Sequence, residues 1–414
     1  MLRRTTLAAV VAALVLTATA ACSSGGSGSA GADGGSKTLT VLNYFTNATQ
    51  QKVLTDLYAK CEAKTGYTFK SLTVPTKEDL MTKAAQLTAT NDAPGMIVLD
   101  NQSVADLADA GVLGPFDISQ TGLKKSDFVQ GPLSAGAYKG VQYGLPIGNN
   151  GEVIIYNKDM LAKAGVAVPK SWADLQAAAK ALTKGSVYGF GQTLAPGETL
   201  TWNWDTQLWS NGGSLAHLDS QQSIDAAAFW SSFVLNKTAP SASLDWQATD
   251  IEAAFAKGQL AMGEVGTWVL PQLEQDAKTN KINFGITAQV SPDGKPPVIP
   301  FGGEELVAGL QKGDAAKAVN TCIGLFSADP AQLATWDESI GYLPSYIPAQ
   351  AAVLAKDPNL QVLADELANS RSRSAEVGPK YDAISAAIST AIDKIATGTA
   401  SPSAAMKEAQ QAVK

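Results

Sequence analysis

Histidine is nearly missing from this chain: His217 is the only one in 414 residues, and it lies in the plain turn-like stretch LAHLDS. A histidine-based triad or a zinc site has little to be built from. After Arg4 the only arginines are Arg371 and Arg373, and neither falls in a segment expected to line a site. Phosphate esters need cationic partners, so they are disfavoured as ligands. There is no basic stripe, and 38 acidic against 31 basic residues leave a net charge of −7, so no nucleic-acid partner is expected. No GxSxG, HExxH or P-loop pattern occurs, and no metal, cofactor or catalytic residue is expected. No segment beyond the N-terminus approaches the roughly 18 uninterrupted apolar residues of a membrane span. Tryptophan is missing from the first 171 residues, yet eight follow between Trp172 and Trp336.

The N-terminus sets the expected compartment. Arg3 and Arg4 form a short positive region, Leu7 to Leu16 is an apolar run too short to span comfortably, and small residues lead to Cys22. A small-residue site ending on cysteine resembles the lipobox of bacterial lipoproteins, although Thr19 stands where that pattern prefers leucine. Residues 1–22 are therefore expected to be a lipoprotein signal peptide, with Cys22 as the lipidated residue. Residues 23–37, almost all Gly, Ser and Ala, cannot bury enough apolar surface to fold and read as a flexible tether. The lipid would then be the only membrane anchor.

With Cys22 committed to lipid, Cys61 and Cys322 remain. An exported pair invites the disulfide reading. Each, however, sits on an apolar helical face, with Val53, Leu54, Leu57 and Tyr58 in one case and Val319, Ile323 and Phe326 in the other. Buried free cysteine behaves as a small hydrophobe, and two free thiols are the expectation.

Short apolar runs alternate with helical patterns, which argues an α/β fold. Leu39 to Phe45 reads as a strand, followed by a helix to about Lys64 that ends at Gly66. A strand Phe69 to Val74, a helix Lys77 to Ala89 and a buried strand Met96 to Asp100 come next, and a second series starts at Val153 to Tyr156. Ser171 to Asp174 and Thr249 to Glu252 carry helix-start signals, with Gly258 as a stop. The tail from Pro379 reads as two helices broken near Gly398.

Six segments carry a family likeness: YGLPIGNNGEVIIYNKD at 143–159, PKSWADL at 169–175, LWSNGG at 208–213, AFAKGQLAMGEVGTW at 254–268, FGGEELVA at 301–308 and GYLPS at 341–345. In this order they resemble the sugar-binding family of extracellular solute-binding proteins of bacterial ABC importers, the family that includes maltose-binding protein. The resemblance implies a two-lobed periplasmic-binding-protein fold of type II, with a three-segment hinge and a central cleft. Lobe 1 would be 38–146 and 287–308, and lobe 2 would be 147–286 and 309–414, with crossings near Pro146 to Val153, Phe284 to Val290 and Glu305 to Lys312. It further implies a monomer that captures a mono- or oligosaccharide and delivers it to permease subunits, with no enzymatic activity.

Sugars present hydroxyl edges and apolar C–H faces. A sugar site therefore combines aromatic platforms with carboxylates and amides. Trp202, in the loop-like APGETLTWNWD, and Trp268, after Gly266, lack a periodic apolar context and match cleft tryptophans of the family. Trp204 and Trp246 are further candidates, Trp209 could serve either role, and Trp172 and Trp230 read as packing residues. Asp100 and Asn101 end a buried strand, where open α/β sheets bind ligands. Asn43 and Tyr44 lie at the end of the first strand, Asn149 and Asn150 fall in the first crossing, and Glu198, Glu264, Glu304 and Tyr342 lie in or beside the family motifs. Gly302 and Gly303 suggest close backbone approach. The rival class is a secreted glycan-active enzyme, which would use a carboxylate pair such as Glu264 and Glu304. A third reading is a binding protein for a peptide, polyol or glycerol-phosphate.

Overall fold

The computed structural model describes residues 37–374 and 376–414. The segments expected to be signal peptide and tether, with Cys22, lie outside the described residues save for Lys37.

The chain starts with strand β1 (Thr38–Asn43), helix α1 (Ala48–Thr65), β2 (Thr68–Thr73), α2 (Lys77–Ala89), β3 (Met96–Asp100) and, after shorter pieces, β4 (Gly144–Pro146). It continues through β5 (Glu152–Asn157), α3 (Trp172–Leu182), α4 (Glu198–Ser210), α5 (Gln221–Leu235), α6 (Ala248–Ala256), β6 (Met262–Gly266) and β7 (Phe284–Thr287). It closes with β8 (Glu304–Ala308), α7 (Gly313–Ala328), α8 (Pro330–Ile340), α9 (Tyr381–Ala396) and α10 (Pro402–Ala412).

Side-chain oxygens set the helix starts. Asn47 accepts from the Thr49 amide before α1, and Ser171 and Asp174 form a reciprocal capping box on α3. The box expected at Thr249 instead uses Gln247 and Asp250, two residues earlier. Gly66 and Gly398 sit in the left-handed region where α1 and α9 stop.

Two sheets define two lobes. The first runs β2-β1-β3-β8-β4, with β1 parallel to β2 and β3, and β8 antiparallel to both its neighbours. The second runs β6-β5-β7, all antiparallel. Both sheets are covered on both faces, so successive residues alternate between two apolar cores. Met96 and Val98 join one cluster with α1, α7 and α8, while Ile97 and Leu99 join another with Leu80 and Ala84 of α2. In β5, Ile154 faces α3, α4, α5 and α9, whereas Val153 and Ile155 face α6.

Three features differ from the sequence reading. Cys61 and Cys322 form a disulfide between α1 and α7. Their apolar faces are the two sides of a single contact, which one-dimensional periodicity could not reveal. Residues 309–342, expected in lobe 2, pack into lobe 1 instead: Val319, Ile323 and Phe326 of α7 and Trp336 of α8 lie in its core. Trp336 sits edge-on to Phe45 with ring centroids 4.8 Å apart.

The crossings also move. The first is where expected, between β4 and β5, but Phe284 to Val290 lies largely in β7 and the first half of Glu305 to Lys312 is β8. The chain crosses instead at Phe301 to Gly303 and at Tyr342 to Leu343. These segments are joined: Asn150 and Gly302 exchange both backbone hydrogen bonds, as do Asn149 and Leu343. The hinge is a three-stranded ribbon. Gly303 has φ +123°, and a Cβ there would lie 2.1 Å from the Gly148 carbonyl, so only glycine allows this approach.

Candidate functional site

The antiparallel register places Glu304 directly opposite Asp100 where β3 ends. Two carboxyls on one sheet face are thus neighbours. The Tyr44 hydroxyl, just beyond β1, donates to Glu304 Oε1 at 2.7 Å, and the Tyr342 hydroxyl from the hinge donates to the same oxygen at 3.2 Å. Glu304 Oε2 is buried without a partner. Burial pushes the Glu304 carboxyl up to about 8, helped by Asp100 and opposed by the two tyrosine hydroxyls.

Asp100 has a different partner. Arg373 donates from Nη2 to Asp100 Oδ1 at 2.7 Å and to Asn101 Oδ1 at 3.3 Å, and from Nη1 to Glu198 Oε1 at 2.8 Å. Asp100 belongs to the first lobe and Glu198 opens α4 in the second, so one guanidinium ties the two lobes. Glu198 also accepts from Tyr381 at 2.8 Å and Ser385 at 2.5 Å, both on α9. Burial alone would lower the Arg373 pKa, but Asp100 and Glu198 more than offset it and the net shift is upward. Arg373 Nε is buried and unpaired.

Sequence reasoning missed this residue, since it held that no cleft segment contains an arginine. The available signal was the pairing of the only two late arginines, Arg371 and Arg373, between short irregular elements. The charge argument against phosphate survives in altered form, because two carboxylates already neutralise the guanidinium.

Aromatic walls complete the site. Trp268 is half-buried and packs against residues of both lobes' cores. Its ring lies over Gly266, where a Cβ would come within 2.0 Å of it. Trp202 is 5.3 Å away between ring centroids, tilted by 35°, with its indole N–H buried and unpaired. In the hinge, Asn149 accepts from Ser345 at 2.8 Å, and the buried Asn150 Oδ1 has no partner. Gly302 makes room for Asn150, whose Oδ1 would be 1.9 Å from any Cβ there.

Four expected positions lie elsewhere. The Asn43 amide is consumed within the first lobe: it donates to Ser71 at 2.7 Å and accepts from the Phe45 amide and Gln51. Trp204 is fully buried in the second lobe's core. The segment holding it is helix α4 rather than loop, and residues two apart on a helix point to nearly opposite sides, so Trp202 and Trp204 cannot share a role. Trp246 packs beside α6 against the cluster of Ile251 and Phe255. Glu264 is fully buried between β6 and α4, accepts from Asn203 at 2.5 Å and neighbours Glu152. It therefore belongs to a different network from Glu304, and the carboxylate pair of a glycosidase is not assembled from these two. Trp172 stacks on Phe229 at 4.3 Å and Trp230 is buried, as packing residues should be.

The buried carboxyls give the fold a pH dependence. Burial raises Glu264, Glu304 and Glu366 to about 8 each. The folded state then holds protons that the unfolded chain releases near pH 4.5. Their contribution is intact below that pH and is lost as pH rises towards 8, at up to ~1.4 kcal/mol per pH unit for each group. Melting curves are expected to show a higher Tm at pH 5 than at pH 9, with a shallower slope in Glu304→Gln. A Tm independent of pH over that range would contradict the assignment.

Comparison with known proteins adds the lineage. A family model described as bacterial extracellular solute-binding protein matches residues 56–362. A putative binding protein of Brucella abortus (strain 2308) is 25% identical over 271 residues, 63% of this chain and 64% of the relative's length. The match thus spans just under two thirds of that relative. Maltose-bound MalE3 of T. maritima superposes with a TM-score of 0.79 at 17% identity, covering 91% of this chain and 98% of that one. The cyclic alpha-maltosyl-1,6-maltose binding protein of Arthrobacter globiformis gives 0.75 at 22% identity, covering 91% and 97%. At these identities the likeness establishes the two-lobed fold.

Proposed function

The chain belongs to the bacterial extracellular solute-binding proteins, and from that premise we propose that it captures a mono- or oligosaccharide between its lobes and hands it to an ABC permease. One observation carries the reading. The half-buried Trp268 lies beside Trp202, on the helix that begins at Glu198, which Arg373 links to Asp100 opposite Glu304, and these residues hold buried unpaired polar atoms of both kinds: the Trp202 indole N–H, Arg373 Nε and the protonated Glu304 Oε2 as donors, with Asn150 Oδ1 as an acceptor. Hydroxyls both donate and accept, so a polyhydroxylated ring satisfies such a mixture while its C–H face covers the indole. Two structural neighbours, named as maltose-bound and as a maltosyl-maltose binder, are consistent with this class. The phosphate group of a phosphate ester brings negative charge and fits poorly beside Asp100 and Glu198, which already outnumber the one guanidinium.

The protein acts as a monomeric trap without turnover, tethered to the outer face of the cytoplasmic membrane through lipid on Cys22. Cys22→Ser is expected to move it from the membrane fraction to the medium, and full retention would defeat the anchor. The ligand class is tested by a thermal-shift screen of mono- and oligosaccharides, polyols, peptides and sugar phosphates, since a native-state binder raises Tm by mass action. Stabilisation by carbohydrates is expected. Stabilisation by sugar phosphates or peptides alone, or hydrolysis of an added glycan, would overturn the proposal.

A further inference from the structure

The Asp100–Arg373–Glu198 bridge draws the lobes together, but a second contact between them joins two groups of like charge. Asp106 lies on the short helix Val104–Asp109, whose Val104 and Leu107 sit in a first-lobe core with Ile97 and Leu99. Asp382 lies in the first turn of α9, beside Tyr381, whose hydroxyl donates to Glu198 at 2.8 Å. The side chains of Asp106 and Asp382 are hydrogen-bonded to each other across the lobes. The short helix packs on the turn Gly378–Lys380 that leads into α9. Asp382 also lines a cavity of about 430 Å³ whose opposite wall includes Lys77, Glu78 and Ser103 of the first lobe.

Two carboxyls can hydrogen-bond only when one of them holds a proton. The charges acting on Asp106 are Asp382 and, on its own helix, Asp109. Asp109 is itself paired, accepting from Lys139 at 2.7 Å and from Tyr138 at 2.9 Å. Lys380 on the turn and Lys77 in the cavity wall are the cations of these elements, and neither is among the charges acting on Asp106. Glu78 and Glu198 line the same cavity and add negative charge beside Asp382. Burial, then Asp382, then Asp109 push the Asp106 carboxyl up to about 6. When the lobes part, Asp382 withdraws and water returns, so the carboxyl falls back towards its ordinary value of about 4. The closed form thus holds a proton that the open form releases. Its help to closure is complete below about pH 4 and is lost as pH rises through about 6.

We propose that Asp106 and Asp382 form a proton-operated latch between the lobes: closure takes up one proton shared by the two carboxyls, so acidity favours the closed form and a rise towards neutral pH favours opening. The latch depends on lobe motion and not on which solute is captured. It works against the Arg373 bridge, which holds the lobes together without that proton.

The test needs no solute. Spin labels on Thr82→Cys in α2 and Thr390→Cys in α9, both exposed positions, report the distance between the lobes in the Cys22→Ser protein. Labelling without reductant leaves the Cys61–Cys322 disulfide intact. From pH 5 to pH 7 the short-distance population is expected to fall roughly three- to tenfold relative to the long one, with screening of the exposed Asp382 favouring the lower figure. Asp106→Asn and Asp382→Asn should each abolish that response, and the second changes an exposed side chain, should the first variant fold poorly. Asp382→Lys supplies a cation instead, so it should raise the short-distance population at pH 7 and leave it equal at pH 5. Two distances whose proportions ignore pH in the parent would overturn the latch, as would a response that survives both asparagine variants. A single unchanging distance in every variant is a different result, which sinks lobe closure and the latch with it.

Discussion

Trp268→Ala weakens carbohydrate binding by roughly thirtyfold or more, the ~2 kcal/mol or greater cost of deleting a stacked aromatic from a desolvated site. The ring is held close against Gly266 and beside Trp202 and remains partly exposed. Because Trp268 is only half-buried, the loss of stability is expected to stay below the ~3–5 kcal/mol of a truncated core tryptophan. Trp230→Ala and Trp204→Ala are the controls: both rings are buried in the second lobe, so both variants should melt early. Calorimetry and melting curves on the three variants separate the roles. Normal binding with early melting in Trp268→Ala would make Trp268 a core residue and move the platform elsewhere.

Arg373→Ala produces the largest combined effect. It leaves Asp100 and Glu198 facing each other across the lobes without their shared cation. Removing one partner of a buried ion pair costs ~3–5 kcal/mol, and the lower end applies because the carboxylates keep 19% and 16% of their side-chain exposure. The same change removes the Nε donor, so affinity should fall roughly tenfold or more on the ~1.5–3 kcal/mol scale of charged hydrogen bonds. Arg373→Lys should rescue little, because a single ammonium cannot span two carboxylates as a planar fork does. The combination Arg373→Met, Asp100→Asn, Glu198→Gln removes the charges together. It is expected to recover much of the melting temperature without recovering binding. Recovery of both would reduce Arg373 to a structural strut.

Local elements were legible where periodicity and punctuation agreed. Helix α2 and strand β3 occupy the very residues expected, and the break at Gly398 falls between α9 and α10. Helix α4 was not legible, because it is buried on every side. Thr201, Asn203, Asp205, Thr206 and Gln207 are all inside, so the polar face that marks an amphipathic helix is missing. Several of its polar side chains serve the buried network, with Thr206 donating to Glu152 at 2.7 Å and Asn203 to Glu264.

Long-range pairings were equally hidden. The disulfide between α1 and α7, the return of residues 309–342 to the first lobe and the reach of Arg373 across the cleft all depend on which surfaces meet. Single-sequence patterns report only that a surface is apolar or charged. Motif-borne positions come together in small groups: Tyr44 and Tyr342 meet at Glu304, Asp100, Asn101 and Glu198 meet at Arg373, and Trp202 lies beside Trp268. Asn43 fails because it serves its own turn, and Trp204 because its helix turns it inward.

In the proposed mechanism, two lobes joined by the ribbon of Asn149, Asn150, Gly302 and Leu343 close on a carbohydrate. Small-angle scattering from the purified protein, with and without the most stabilising carbohydrate of the thermal-shift screen, reads that closure. A hinge-bending trap should show a smaller radius of gyration at saturation, and a profile matching the closed arrangement in which Arg373 spans Asp100 and Glu198. An identical profile at saturating carbohydrate would contradict closure and the capture mechanism built on it.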